Sequence, residues 1–257
     1  MILLFTSNNM ASLNIAKKLI KNHGFEKKAE GEWEREGTRL IDTKAPTVLD
    51  VPTAFDTDCI IVLSSHKSKA GGKMLTAHFP GNWDEAKMGG KPRTLNTAYG
   101  SRLKALVLEL KKSNEKLGWP LFVEADHHGP TCGVPIMFVE IGSTEAEWND
   151  EEAAEAVAEA LSEFLKKDDK YECVFGVGGG HYSREFTKMV LETDVAVGHI
   201  APKYAINSIE EDTFRQAVEK NIEKITKVVM LKKETNSSQK KKIIVLCEKF
   251  AVELELL

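Results

Sequence analysis

The chain has 257 residues, 42% hydrophobic and 29% charged, with a formal net charge of −4. That is enough apolar material for one sizeable core, read as a single α/β domain over residues 1–257 or as two tightly fused lobes. No apolar run reaches the roughly 18 residues that span a bilayer. The opening MILLFTSNN has neither a basic n-region nor a small-residue cleavage site, so no secretory leader is expected, and a cytoplasmic monomer is.

Residues 1–6 predict a first strand. TSNN offers N-caps for a helix over Met10–Lys21, with apolar positions at Leu13, Ala16, Leu19 and Ile20, and His23-Gly24 stops it. Residues 30–52 alternate charged and apolar residues with Gly and Pro punctuation and predict short strands. Asp58–Ser64 predicts a buried strand that opens into a polar, glycine-bearing loop, SSHKSKAGG. Residues 76–98 hold too many Gly and Pro for a regular element and predict a long loop, a kind of segment often used for function. Leu95–Leu117 is the clearest helix, with apolar positions at 99, 103, 106, 107, 110 and 117 and Gly118 after it.

Leu121–Glu124 predicts a strand running into ADHHGPTCG. Ile136–Ile141 predicts another strand, and Glu151–Lys166 an amphipathic helix. Tyr171–Val177 predicts a strand ending in GGGHYS, Arg184–Leu191 a short helix, Asp194–Val197 a strand ending in GHIAPKY, and 209–225 a helix. Lys227–Leu231 predicts a strand, followed by a Lys-rich turn (KKETNSSQKKK) and a last hairpin partner at Ile243–Leu246. The alternation predicts an α/β fold with a mixed or mostly parallel central sheet flanked by helices. In such sheets ligands sit beyond the carboxyl ends of the strands.

The charge is unevenly spread. From His66 to Lys104 eight Lys/Arg face two acids, and from Glu140 to Lys170 eleven acids face three lysines. Such polarity steers a polyanion to one face, or it marks two solvated faces. Lys232–Lys242 is a further basic run, read as a nucleic-acid grip or a solvated turn. Cys59, Cys173 and Cys247 read as small buried hydrophobes, whereas Cys132 lies in a Gly/Pro-rich loop beside two histidines. No C-x-x-C spacing is present, so neither a zinc ribbon nor a thioredoxin motif is indicated.

Six of the seven histidines lie in Gly/Pro/polar segments: His66, His78, His127, His128, His181 and His199. Four of these segments follow predicted strands, so the sheet is expected to gather them at one edge. Imidazole serves as a general base near neutral pH and as a zinc ligand. In Glu124-Ala-Asp126-His127-His128 an extended backbone turns Glu124, Asp126 and His128 to one side and His127 to the other. Gly178-Gly179-Gly180 offers close backbone approach and amides for a phosphate or an oxyanion. Lys67, Lys69 and Lys203 suit phosphate contact. The frames of a Walker loop, a dinucleotide fingerprint and a nucleophile elbow are absent. The residues alone point to a hydrolase or a phosphate-handling site, without a substrate.

The segments SSHKSKAG (64–71), HFPGN (78–82), EADHHGP (124–130), GGGHY (178–182) and GHIAPKYAI (198–206), with the opening MILLFTSNNMASLNIAKKL, closely resemble the archaeal and plant D-aminoacyl-tRNA deacylase family. The resemblance implies hydrolysis of the ester joining a D-amino acid to the tRNA terminal adenosine. It also implies zinc, and a fold likened to phosphorylase and peptidyl-tRNA hydrolase architectures. On that reading water is activated by histidine, with or without zinc. His127, His181 and Asp126, with the Gly179 and Gly180 amides, are the expected catalytic groups. Lys67, Lys69, His78, Tyr182, His199 and Lys203 are expected to bind substrate, with the 87–93 segment on tRNA phosphates. His66, His128 and His181 are the expected metal ligands, and D-selectivity is expected from steric rejection of the L side chain. The competing readings are a phosphorylase or nucleosidase acting on small phosphate-bearing ligands and a non-enzymatic tRNA-binding module.

Overall fold

The computed structural model describes residues 1–69 and 71–257, so Ala70 of the SSHKSKAG segment lies outside the described residues. Strand β1 (Ile2–Phe5) leads into helix α1 (Met10–Asn22), whose N-cap Asn9 accepts from the Ser12 amide. An antiparallel meander follows: β2 (Glu26–Ala29), β3 (Glu32–Arg35) and β4 (Thr38–Asp42). Next come β5 (Ile60–Lys67) and β6 (Met74–His78), then the two-residue pair β7 (Gly81–Asn82) and β8 (Thr94–Leu95). Helix α2 (Gly100–Ser113), β9 (Leu121–Val123), β10 (Ile136–Ser143), α3 (Glu145–Trp148) and α4 (Glu151–Phe164) complete this half.

These strands form an eight-stranded sheet in the order β2-β3-β4-β1-β5-β10-β6-β9. Its centre, β4-β1-β5-β10, is parallel, β6 runs antiparallel to β10, and β9 is parallel to β6. Side chains of a strand alternate between faces. Leu3, Phe5, Ile61, Leu63, Leu75, Ala77, Leu121 and Val123 therefore join one cluster with helices α1, α2 and α4. Ile2, Leu4, Ile60, Val62, Ile136 and Phe138 point the other way, under Ala45 and Val51.

The remaining chain builds a second, all-parallel sheet. It consists of β11 (Glu172–Val177), helix α5 (Arg184–Glu192), β12 (Val195–Ala201), helix α6 (Glu211–Glu219), β13 (Ile225–Met230), helix α7 (Ser237–Lys249) and β14 (Glu253–Leu256). The order is β12-β11-β13-β14. One face carries Phe175, Val177, Val228 and Met230 against Phe214, Ile243 and Leu246. The other face sends Val174, Val197, Ile200 and Val229 into the cluster shared with the large sheet.

The α/β architecture matches the expectation, except that two main sheets and the two-stranded β7–β8 pair stand among the described residues where one central sheet was predicted. Three local readings change. The predicted loop over 76–98 contains the end of β6 and the β7–β8 pair. Helix α2 starts at Gly100 instead of Leu95, because the Glu223 carboxylate accepts from the Gly100 and Ser101 amides at 3.0 and 2.9 Å, while the Ala98 amide donates to the Lys220 carbonyl. The Lys-rich segment is neither a turn nor a hairpin. Asn236 and Gln239 form a capping box that starts α7, and β14 pairs parallel with β13, a connection that needs a crossover helix.

Candidate active site

The alternation that fills the core also builds the site. On β5, the face bearing Ile60 and Val62 continues to Ser64 and His66. On β10, Ile136 and Phe138 lead to Glu140, and on β6 the same face carries Thr76 and His78. The register sets His78 against Phe138 and Glu140 between Thr76 and Ser64. Polar residues thus take over one sheet face just beyond its apolar patch. His66 comes so close to β10 that a Cβ on Gly142 would lie 2.9 Å from the His66 Cβ, so only glycine fits there.

The chain leaving β9 supplies the rest. Glu124 pairs with Tyr182 in an isolated bridge, and the Ala125 amide donates to the His181 carbonyl. These bonds zip the EADHHG and GGGHY segments together. Glu124 is 1% exposed. Its Oε1 lies 3.1 Å from His66 Nδ1, and its Oε2 lies 3.2 Å from His181 Nε2, 3.5 Å from His127 Nε2 and 3.7 Å from His78 Nδ1. None of these contacts is aligned as a hydrogen bond, and both oxygens are buried without a partner among the described residues. His78 Nδ1 is in the same condition.

Backbone carbonyls fix the tautomers of two rings. His127 Nδ1 is 2.9 Å from the Ala125 carbonyl, and His128 Nδ1 is bonded to the Gly129 carbonyl. Carbonyls only accept, so each Nδ1 donates and each neutral ring presents a lone pair at Nε2. His128 Nε2 then faces His78 Nε2 at 3.2 Å, and His127 Nε2 faces the carboxylate. Burial, with the neighbouring imidazoles, pushes His127 down to about 4. Burial pushes His128 down to about 4 as well and His78 well below the usual histidine value. These three rings are neutral at pH 7.

His66 is the opposite case. Burial works against its charge, but Glu124 and Glu140 outweigh it and push the ring up to about 11. The imidazolium donates from Nε2 to the Tyr182 hydroxyl at 2.7 Å. Burial likewise opposes the Glu124 charge, yet His181 and His66 hold its carboxyl well below the usual range. Glu140 is fixed by the Ser64 hydroxyl at 2.7 Å.

Asp126, His127 and His128 floor an open cleft of about 290 Å3. One wall is the Gly81–Met88 segment and the other holds Tyr204, Ala205 and Ser208. The first wall closes down because the Gly129 amide donates to the Met88 carbonyl at 2.9 Å. A Cβ on Gly129 would sit 2.3 Å from the Gly90 nitrogen.

The expected residues are redistributed. His66, His128 and His181 do not form one ligand set: His66 and His181 group with Glu124, and His128 groups with His78 and His127. Asp126 does not share the direction of Glu124. Its oxygens accept from the Ile200 amide at 2.9 Å and from His199 Nδ1 at 2.5 Å. His199 is fully buried, with Nε2 on the Lys220 carbonyl, so it has no surface for substrate, and neither has His78. His66 and His199 lie inside β5 and β12, not in loops after them.

Lys67 is exposed on the face of β5 opposite His66, and Lys69 is exposed past the strand end. Lys203 is exposed beside the cleft residue Tyr204 and pairs with Glu234 at 3.5 Å. The Gly178 amide is taken by the Ala201 carbonyl, which reduces the three-amide nest to Gly179 and Gly180. Lys104, counted in the basic run, is buried with its ammonium on the Val190 and Thr193 carbonyls. Glu140 was missing from the expected site, and Glu124, named in the EADHH segment, had no assigned role. Glu140 is the lone acid within an apolar strand, a pattern that signals a buried carboxylate.

Residues 53–255 match the family model described as D-aminoacyl-tRNA deacylase. The chain is 34% identical to a D-aminoacyl-tRNA deacylase of Pyrococcus furiosus over 87% of each chain, and 33% identical to that of Thermococcus onnurineus over 98% of each. The fold superposes on the crystal structure of a conserved protein of unknown function, AF0625, with a TM-score of 0.90 at 29% identity, covering 99% of this chain and 94% of that one. The chain belongs to the D-aminoacyl-tRNA deacylase family.

Proposed function

We propose that the cleft hydrolyses the ester of D-aminoacyl-tRNA, releasing free D-amino acid and tRNA, as a monomer in the cytoplasm. The observation that carries this reading is the convergence of three imidazoles and a buried carboxylate beside an open cleft. Ligand atoms of His78, His127 and His128 lie within 4.8 Å of one another, and His127 Nε2 lies 3.5 Å from the Glu124 carboxylate.

Such a set fits zinc. His78, His127 and His128 would supply three neutral imidazoles, the ligand count of a site that keeps one position for chemistry. Backbone carbonyls orient two of them as carbonyl partners commonly orient metal-ligating histidines. What zinc supplies when bound is Lewis acidity, which polarises an ester carbonyl and brings the pKa of water to about 7. The protein's own groups supply the rest. His181, with 32% of its side chain exposed and its ring 4.4 Å from that of His127, is the most exposed of the clustered rings and serves as general base. Glu124 at 3.2 Å steadies its imidazolium form. Tyr182, held by His66, and the amides of Gly179 and Gly180 are the donors offered to the oxyanion.

The test is release of D-Tyr and of L-Tyr from charged tRNA, with chelator, with added zinc and with inorganic phosphate, alongside the bound-metal content. Chelator-sensitive release of D-Tyr alone, indifferent to phosphate, is expected. Release of neither, or turnover that needs phosphate, overturns the reading.

A further inference from the structure

Two large apolar side chains at the cleft stay open to solvent: Tyr204 is 63% exposed and Met88 57% exposed. Both line the cleft that His127 and His128 also line. Neither wall is loose. The Lys203 amide donates to the Gly179 carbonyl and the Ala205 amide to Pro202, which pins the turn carrying Tyr204 to the glycine segment. The Gly129 amide donates to the Met88 carbonyl, which pins the other wall to the histidine segment. An aromatic face and a polarisable thioether left open beside a cleft are surfaces a planar ligand can cover.

A lysine flanks each one. Lys203 precedes Tyr204 and pairs with Glu234 at 3.5 Å, and Lys87 precedes Met88 and pairs with Glu85 at 2.9 Å. Both pairs are exposed, so they exchange readily for a phosphate. Of the acids on the Met88 wall, Glu85 is the one paired with Lys87, and Asp84 accepts from the Ser208 hydroxyl at 2.9 Å and faces Arg93 at 3.6 Å.

We propose that Tyr204 and Met88 are the two jaws of a subsite that stacks the 3′-terminal purine of tRNA, with Lys203 and Lys87 on the adjoining backbone phosphates. The inference rests on the deacylase reading and deepens it. An ester seated on the histidine floor has two arms, an amino acid that varies and an adenosine that does not. A flat, rigid, open aromatic surface suits the constant planar arm. The paired lysines match the phosphates that accompany a base and not an amino-acid side chain.

The test is competition by uncharged tRNA, intact or lacking its 3′ adenosine, against D-Tyr-tRNA hydrolysis. It is run on wild type, Tyr204→Ala, Tyr204→Phe and Met88→Ala. Removing the adenosine should weaken wild-type binding about 5- to 160-fold, the range for one stacked base. Tyr204→Ala should cut that loss to less than about twofold, Tyr204→Phe should retain it, and Met88→Ala should fall between. A Tyr204→Ala protein that still discriminates like wild type overturns the proposal. So does one whose preference between D-Tyr and D-Ala changes while the adenosine effect stays. A wild type that discriminates the adenosine but releases no D-Tyr would instead defeat the deacylase reading; binding is then followed directly.

Discussion

Two buried carboxylates stand two residues apart and behave in opposite ways. Asp126 is 2% exposed and fully matched: one oxygen takes the Ile200 amide, the other takes His199, and the far nitrogen of His199 donates to the Lys220 carbonyl. Glu124 is 1% exposed and has no aligned hydrogen bond; the His66 imidazolium and three further rings meet its oxygens at 3.1 to 3.7 Å. Burial of a histidine and an acid therefore does not mark function by itself. The satisfied pair latches the histidine segment to β12. The other carboxylate turns its lone pairs toward the rings of the proposed site, the arrangement on which the proposed hydrolysis depends.

The sharpest way to break this contrast is to neutralise each carboxylate in turn. Glu124→Gln should lower kcat by about 10²–10⁴-fold, the usual value of an acid–base partner, with a smaller loss of stability than Asp126→Ala, because the His66 imidazolium keeps Glu140. Asp126→Ala should cost about 3–5 kcal/mol of stability by stranding His199 in the core. Single-turnover hydrolysis and thermal unfolding read the two effects separately. Equal losses of stability in both variants would erase the distinction.

The next largest effect concerns the lone pairs. His127→Ala and His128→Ala should each abolish tight zinc binding. Ligand at 100 times its dissociation constant adds about 2.7 kcal/mol to the folded state. The wild-type melting temperature should therefore rise on adding zinc, and the variants' should not. Zinc-dependent stabilisation surviving in either variant would remove that ring from the ligand set.

The same rings set the pH dependence of the metal-free protein. His127 and His128 sit at about 4 when folded against about 6.5 in an unfolded chain. Their folded values are depressed, so the unfolded state takes the proton first. Their contribution is full above about pH 6.5 and drains away as pH falls toward about 4. His66, raised to about 11, works the other way: its contribution is full below about pH 6.5 and is lost as pH climbs through about 11. Urea midpoints across this range should trace a dome. His66→Ala should flatten its alkaline side and, because His66 also lowers Glu124, change the acid side less; an alkaline side as steep as that of wild type would contradict the assignment.

Much of this was legible in the sequence, and the failures share a cause. Apolar periodicity located β1, α1, β10 and α4 to within two residues at either end, because their patterns are set by one core. Strand ends were misjudged where the buried face turns polar. Ser65, His66 and Lys67 continue β5, and Gly198 and His199 continue β12, yet residues of these types read as loop. The Lys-rich segment was misread for the converse reason, since its lysines hid the capping box of Asn236 and Gln239. In the site, the histidines were visible by type, but their partners depended on contacts between β5, β6, β9 and β10 that no single segment contains.

The smallest expected effect tests strand alternation itself. Lys67 follows His66 and was expected on tRNA phosphate because of that neighbourhood. In β5 consecutive side chains leave by opposite faces, so Lys67 points away from the face on which His66 meets Glu124 and Tyr182. Lys67→Gln should change kcat/KM by less than about twofold and leave the salt dependence of tRNA binding as it was, whereas a lost phosphate contact would reduce that slope by about one. Lys203→Gln, beside the cleft at Tyr204, should reduce it. If the two lysines behave alike, the polyanion covers both faces of the sheet edge, and the cleft is not what selects its path.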